Sequence, residues 1–100
     1  MVEDMPLTYI YALNQNAPNP FNSQTRINYQ LAKPSNVSLK IYNITGQLVK
    51  TLVNDNQTPG YYSANWDGKD GNGTKAASGI YIYRLQAGDY VNTRKMVIIK

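Results

Sequence analysis

The sequence predicts an all-β chain folded as an antiparallel β-sandwich of about seven strands. Three observations carry this. Short segments of alternating apolar and polar residues recur about every ten residues, separated by turns rich in Gly, Pro, Asn and Asp. The residue mix favours strands, with nine tyrosines, many β-branched side chains and a single glutamate, Glu3. No extended stretch shows the three-and-four apolar spacing of an amphipathic helix. One hundred residues suit one domain, and 42% hydrophobic residues suffice for a two-layer core.

Met1 to Pro6 reads as linker. Leu7 to Leu13 reads as a short strand or as the end of an upstream region, so residues 1–12 are set apart from a domain over 13–100. Asn16-Ala17-Pro18-Asn19-Pro20-Phe21-Asn22 excludes helix and central strand, because proline lacks the ladder N–H and forces its predecessor to extend. It is a stiff, extended lead-in. Thr25 to Leu31 then alternates, with Ile27, Tyr29 and Leu31 on one face. Lys33 to Asn36 is a turn, and Val37 to Tyr42 alternates again with Val37, Leu39 and Ile41 inward. Asn43-Ile44-Thr45-Gly46 turns the chain tightly, with glycine available for a positive φ. Gln47 to Val53 is the next strand and Asn54 to Gly60 a polar loop. In Tyr61 to Trp66 the inward set is Tyr62, Ala64 and Trp66. Asp67 to Gly79 is the longest loop, and Ile80 to Gln86 is a strand apolar on both faces. Ala87-Gly88-Asp89 turns into Tyr90 to Ile99, which forms a hairpin with its predecessor. Met96, Ile98 and Arg94 share a parity there, which requires a bulge or a partner on the second face. The expected core includes Leu39, Ile41, Tyr62, Trp66, Tyr81 and Leu85.

Composition narrows the chemistry. Without cysteine there is no disulfide, thiolate metal site or thiol nucleophile. Without histidine there is no Ser-His-Asp triad and no ordinary base near neutral pH. Neither enzymatic activity nor a cofactor is expected. The net charge of +4 is spread along the chain rather than clustered, which argues against nucleic acid as a partner. No segment approaches the ~20 apolar residues of a membrane span, so stable membrane insertion is not expected. Glu3, Asp4 and Pro6 stand where a signal peptide would carry positive charge.

Asp67-Gly68-Lys69-Asp70-Gly71-Asn72-Gly73 has the oxygen ligands a calcium loop needs, but its offsets from Asp67 are three and five, and Ser78 holds the place of a bidentate glutamate. Turn chemistry explains it better, and no metal is expected. Asp67 and Asp70 lie on one loop, a poor basis for a glycosidase pair. Tyr61, Tyr81, Tyr83 and Tyr90 would make a sugar-stacking platform if they shared an exposed face.

Five segments then point to a family. Leu13 to Asn22, Val37 to Gly46, Trp66 to Asp70, Ala77 to Gly88, and Lys95-Met96-Val97 closely resemble, in order, motifs of the type A C-terminal sorting domain of the type IX secretion system. The resemblance covers residues 13–100. Singly, the tryptophan-loop and glycine-tyrosine elements are shared with the related flagellar hook-capping immunoglobulin-like domains.

The resemblance implies an immunoglobulin-like fold and a non-catalytic address. It implies an upstream passenger carried through the periplasm of a Gram-negative bacterium to the outer-membrane surface or the medium. Its partners would be the type IX machinery and a surface sortase, with cleavage in the region before Leu13. Pro18, Pro20 and Phe21 either pin the first strand or contact that machinery. Arg94, Lys95, Met96 and Val97 either serve recognition or form a solvated edge. An accessory module for adhesion or carbohydrate binding is the alternative reading.

Overall fold

A computed structural model describes residues 8–100. The expected linker Met1 to Pro6, and Leu7, lie outside the described residues. Seven strands form two antiparallel sheets: β1 (Ala12–Leu13), β2 (Thr25–Leu31), β3 (Ser35–Asn43), β4 (Leu48–Gln57), β5 (Gly60–Trp66), β6 (Gly79–Ala87) and β7 (Tyr90–Ile98). The first sheet has the order β1-β2-β5 and the second β4-β3-β6-β7. No helix occurs among the described residues.

The alternation read from the sequence sets the faces. Ile27, Tyr29, Leu31, Val37, Leu39, Ile41, Tyr81, Tyr83 and Leu85 all point into the space between the sheets and are buried. Trp66 is fully buried at its centre, with the rings of Phe21 and Tyr81 edge-on at 5.6 and 5.7 Å. Its indole N–H donates to the Lys69 carbonyl at 2.8 Å, so its one polar atom is satisfied. Tyr62 has the expected parity but is only half-buried: its ring stacks on Tyr29 at the rim of the core.

Two strands differ from expectation. The first is shorter: only Ala12 and Leu13 pair, with Gln30 and Tyr29. The fourth is longer. Residues 54–57, expected in a loop, pair with 35–38, and the chain turns only at Thr58-Pro59. Polar residues suit a sheet edge, and this stretch contains no Pro or Gly to break it. The Tyr29 hydroxyl fastens its end by donating to Gln57 Oε1 at 2.7 Å.

Strand β4 also slips register twice against β3, between Leu39 and Lys40 and between Ile41 and Tyr42. Each slip leaves one extra residue, Leu52 and Val49, and both side chains pack on the core. The tight turn at Asn43 forms as read. Asn43 Oδ1 accepts from the backbone N–H groups of Thr45 and Gln47, and Gly46 takes a φ of 88°.

Candidate functional site

The structure brings the lead-in and the closing strand together. After Leu13 the chain leaves β2. The buried Tyr83 hydroxyl catches it, donating to the Asn14 carbonyl at 2.6 Å and accepting from the Asn16 N–H at 2.8 Å. The Asn16 side chain is itself buried. Its amide donates to Thr25 Oγ1 at 3.0 Å and to the Pro18 carbonyl at 3.2 Å, and Thr25 Oγ1 donates to the same carbonyl at 2.8 Å. Ala17 exchanges two backbone bonds of 2.9 Å with Arg26. The Ala17–Pro18 and Asn19–Pro20 peptides are both cis. No buried side-chain nitrogen or oxygen among the described residues is left without a partner.

From Asn19 onward the lead-in runs beside β7, in parallel bridge at Phe21 and Ile98. Asn19 Oδ1 accepts from the Val97 N–H at 3.0 Å, and the Phe21 N–H donates to the Val97 carbonyl at 3.1 Å. The Ile99 N–H donates to the Phe21 carbonyl at 2.8 Å, and Gln15 Nε2 donates to the Lys95 carbonyl at 2.6 Å. An edge strand that would offer a bare row of donors and acceptors is thus covered over its second half.

Arg94 resolves the parity problem of the closing strand. The β6–β7 register runs unbroken from Gly79–Ile98 to Ala87–Tyr90, so there is no bulge. Arg94 lies on the inward side, opposite Tyr83, at the open margin of the sandwich. Its Nε donates to the Leu13 carbonyl at 2.6 Å, stapling one sheet to the other. Burial raises the Tyr83 phenol above its ordinary 10.0, partly offset by its bond to Asn16 and by the Arg94 charge.

The candidate residues therefore divide. Pro18, Pro20, Arg94 and Lys95 are exposed, Val97 is half-buried, and Phe21 and Met96 are core. Phe21 docks on Trp66, so its ring is not a free contact in the folded domain. The pair Arg94-Lys95 is not uniform: Arg94 has a structural bond, whereas no hydrogen bond involves the Lys95 ammonium among the described residues. Sequence reasoning gave no role to Gln15 or Thr25, read Asn16 only as part of the lead-in, and took Tyr83 for a sugar contact, yet these four hold the joint. The only available signal was the need of any buried polar group for a partner.

The sugar platform does not assemble. Tyr81 and Tyr83 face the core because they share the inward parity of β6. Tyr61 lies on the outer face of the other sheet against Tyr9, and Tyr90 stacks on Tyr11. In the long loop both carboxylates are engaged by backbone. Asp67 Oδ1 accepts from the Lys69 N–H at 3.0 Å, and Asp70 Oδ1 accepts from the Asn72 and Thr74 N–H groups at 2.9 and 3.0 Å. Among the described residues no three acidic, histidine or cysteine side chains gather as a metal site would require.

Comparison with known proteins agrees with this architecture. No curated protein matches the sequence. Among solved structures the fold is similar to part of latent PorU from Porphyromonas gingivalis, at a TM-score of 0.73 and 21% identity over 96% of this chain. It is also similar to part of PorZ from the same organism, an essential surface component of the type IX secretion system, at a TM-score of 0.61 and 19% identity over 90% of this chain. The chain spans only 10% and 11% of those two proteins. Residues 14–90 match the FlgD Ig-like domain family, reaching from the lead-in to the start of the closing strand, and the chain belongs to that family.

Proposed function

We propose that this domain is a C-terminal sorting signal that directs an attached passenger across the outer membrane by type IX secretion. The passenger is then cleaved off by a surface sortase and left on the cell surface or in the medium of a Gram-negative bacterium. The domain works as an address and not as a catalyst. One observation carries the reading: the lead-in and the closing strand, the terminal segments that resemble sorting-domain motifs, are hydrogen-bonded to each other as one joint. The fold shared with PorZ, a component of that secretion system, supports it. The accessory-module reading loses its proposed platform with the burial of Tyr81 and Tyr83.

The test fuses the whole chain, residues 1–100, to a monomeric reporter behind an inner-membrane signal peptide, in a host with a type IX system. The intact fusion reaches the surface or medium, and a fusion lacking residues 94–100 stays in the periplasm. That deletion also strips the partners of Gln15, Asn19 and Phe21, so Lys95→Ala is the cleaner variant. It lowers export while leaving the melting temperature unchanged. Retention of the intact fusion in the periplasm would overturn the reading.

A further inference from the structure

The two outer faces of the sandwich differ sharply. On the β1-β2-β5 sheet the outward positions of β2 and β5 are Arg26, Asn28, Gln30, Tyr61, Ser63 and Asn65, almost all polar. On the β4-β3-β6-β7 sheet the register sets Leu48, Tyr42, Ile82 and Lys95 in one row across the strands. The next row toward the sheet end sets Ile80 beside Val97, and Ile44 extends it from the turn after β3. Leu48 is 55% exposed, Ile44 71% and Ile80 46%. The row on the other side carries Lys40 beside Arg84. A contiguous apolar strip is thus flanked by Lys40, Arg84 and Lys95, and no outward strand position on this face is acidic. Exposed apolar surface of this kind is unfavourable in water unless something covers it.

We infer that this face of the β4-β3-β6-β7 sheet is the docking surface of the domain, and that its occupant is a protein presenting an apolar patch flanked by carboxylates. The charge pattern selects that occupant. A second copy packed on the same face through a two-fold axis would bring Lys40, Arg84 and Lys95 toward their own counterparts, which repel. A bilayer is a poor match in shape, because a flat sheet face cannot sink into lipid without carrying the rest of the sandwich with it. The inference rests on the sorting reading above, for which it names the recognised surface.

The same reporter fusion tests it. Ile80→Thr with Ile82→Thr keeps β-branched residues in the strand but removes apolar contact, and Arg84→Glu reverses one flanking charge. Each is expected to cut export about tenfold or more, the factor equivalent to about 1.4 kcal/mol of lost binding. Arg84→Lys retains export. Arg26→Glu and Tyr61→Thr, on the opposite face, also retain it, and thermal melting confirms that every variant is folded. If the Ile80/Ile82 and Arg84→Glu fusions are exported like the parent while the 94–100 deletion is retained, the docking surface lies elsewhere and the sorting function stands. If the parent itself is not exported, both readings fall. Cosedimentation of the purified domain with phosphatidylglycerol–phosphatidylcholine vesicles, abolished by Arg84→Glu, would overturn the choice of a protein occupant; no cosedimentation is expected.

Discussion

The lead-in from Asn14 to Phe21 and the loop from Asp67 to Gly79 are both irregular, yet they are ordered over very different distances along the chain. The lead-in is tied to residues 67 to 80 positions away, through Tyr83, Lys95 and Val97. The loop is tied mainly to itself, by Asp67 and Asp70 bonding two to four residues onward. It also reaches β4, through the Gly71 N–H to the Val49 carbonyl at 3.0 Å. Local bonds order a loop whether or not the rest is perfect. Bonds across the whole chain make the lead-in and the sandwich stand or fall together.

The largest test of that contrast is Phe21→Ala. It removes a buried ring from Trp66, and the expected loss is about 3–5 kcal/mol of unfolding free energy, measured by urea denaturation. A loss below about 1 kcal/mol would mean that the lead-in is an attachment rather than part of the core.

Tyr83→Phe is the intermediate test. It leaves the ring in place but removes the hydroxyl shared by Asn14 and Asn16, with an expected cost of about 1–3 kcal/mol. It also changes the pH profile. Because burial raises the phenol in the folded state, the stability it contributes is complete below its unfolded value of 10.0 and is lost as pH rises through the higher folded value. The parent therefore loses stability above about pH 10, and Tyr83→Phe loses less. Tyr29 and Tyr81, likewise raised by burial, add to the alkaline loss in the same direction.

The smallest effect belongs to the loop. Asp70→Ala removes the acceptor for two backbone N–H groups in a solvent-accessible turn, at a cost of about 1 kcal/mol. Millimolar calcium is expected to leave the melting temperature of the parent unchanged. A rise of several degrees that Asp70→Ala abolishes would reveal a cation site and reverse the account of this loop.

Much of the fold was legible because strand alternation reports directly which side chains share a face. Ile27, Leu39, Trp66 and Leu85 followed from parity alone, and the Asn43 turn from its own residue types. What parity cannot report is what covers a face. Arg94 looked misplaced on an inward position because its partner, the Leu13 carbonyl, belongs to the other sheet. For Phe21 the choice between pinning the strand and contacting a partner, and for Met96 the choice between recognition and an edge, stayed open because the sequence does not show that two terminal segments meet. Tyr81 was expected in the core and lies there, whereas Tyr83 stood only as a sugar candidate, because a tyrosine looks alike whether its hydroxyl meets solvent or a buried backbone carbonyl. The extension of β4 through Asn54-Asp55-Asn56 was hidden for a related reason: at a sheet edge, pairing overrides the turn preference of those residues.

The joint between Phe21 and β7 also imposes an order on biosynthesis. Phe21 must meet Val97 and Ile99 across more than seventy residues, and closing so long a span is both entropically costly and slow. A nascent chain that has reached only β6 has no acceptor for the Phe21 N–H, no donor for its carbonyl, and no arginine to clasp Leu13. A product cut short before residue 94 lacks the partners of Asn19 and Phe21, whereas Tyr83, Thr25 and Arg26 remain to hold the first half of the lead-in. Closure of this joint therefore waits on the strand that follows β6, and the second half of the lead-in is the last part of the domain to gain its partners.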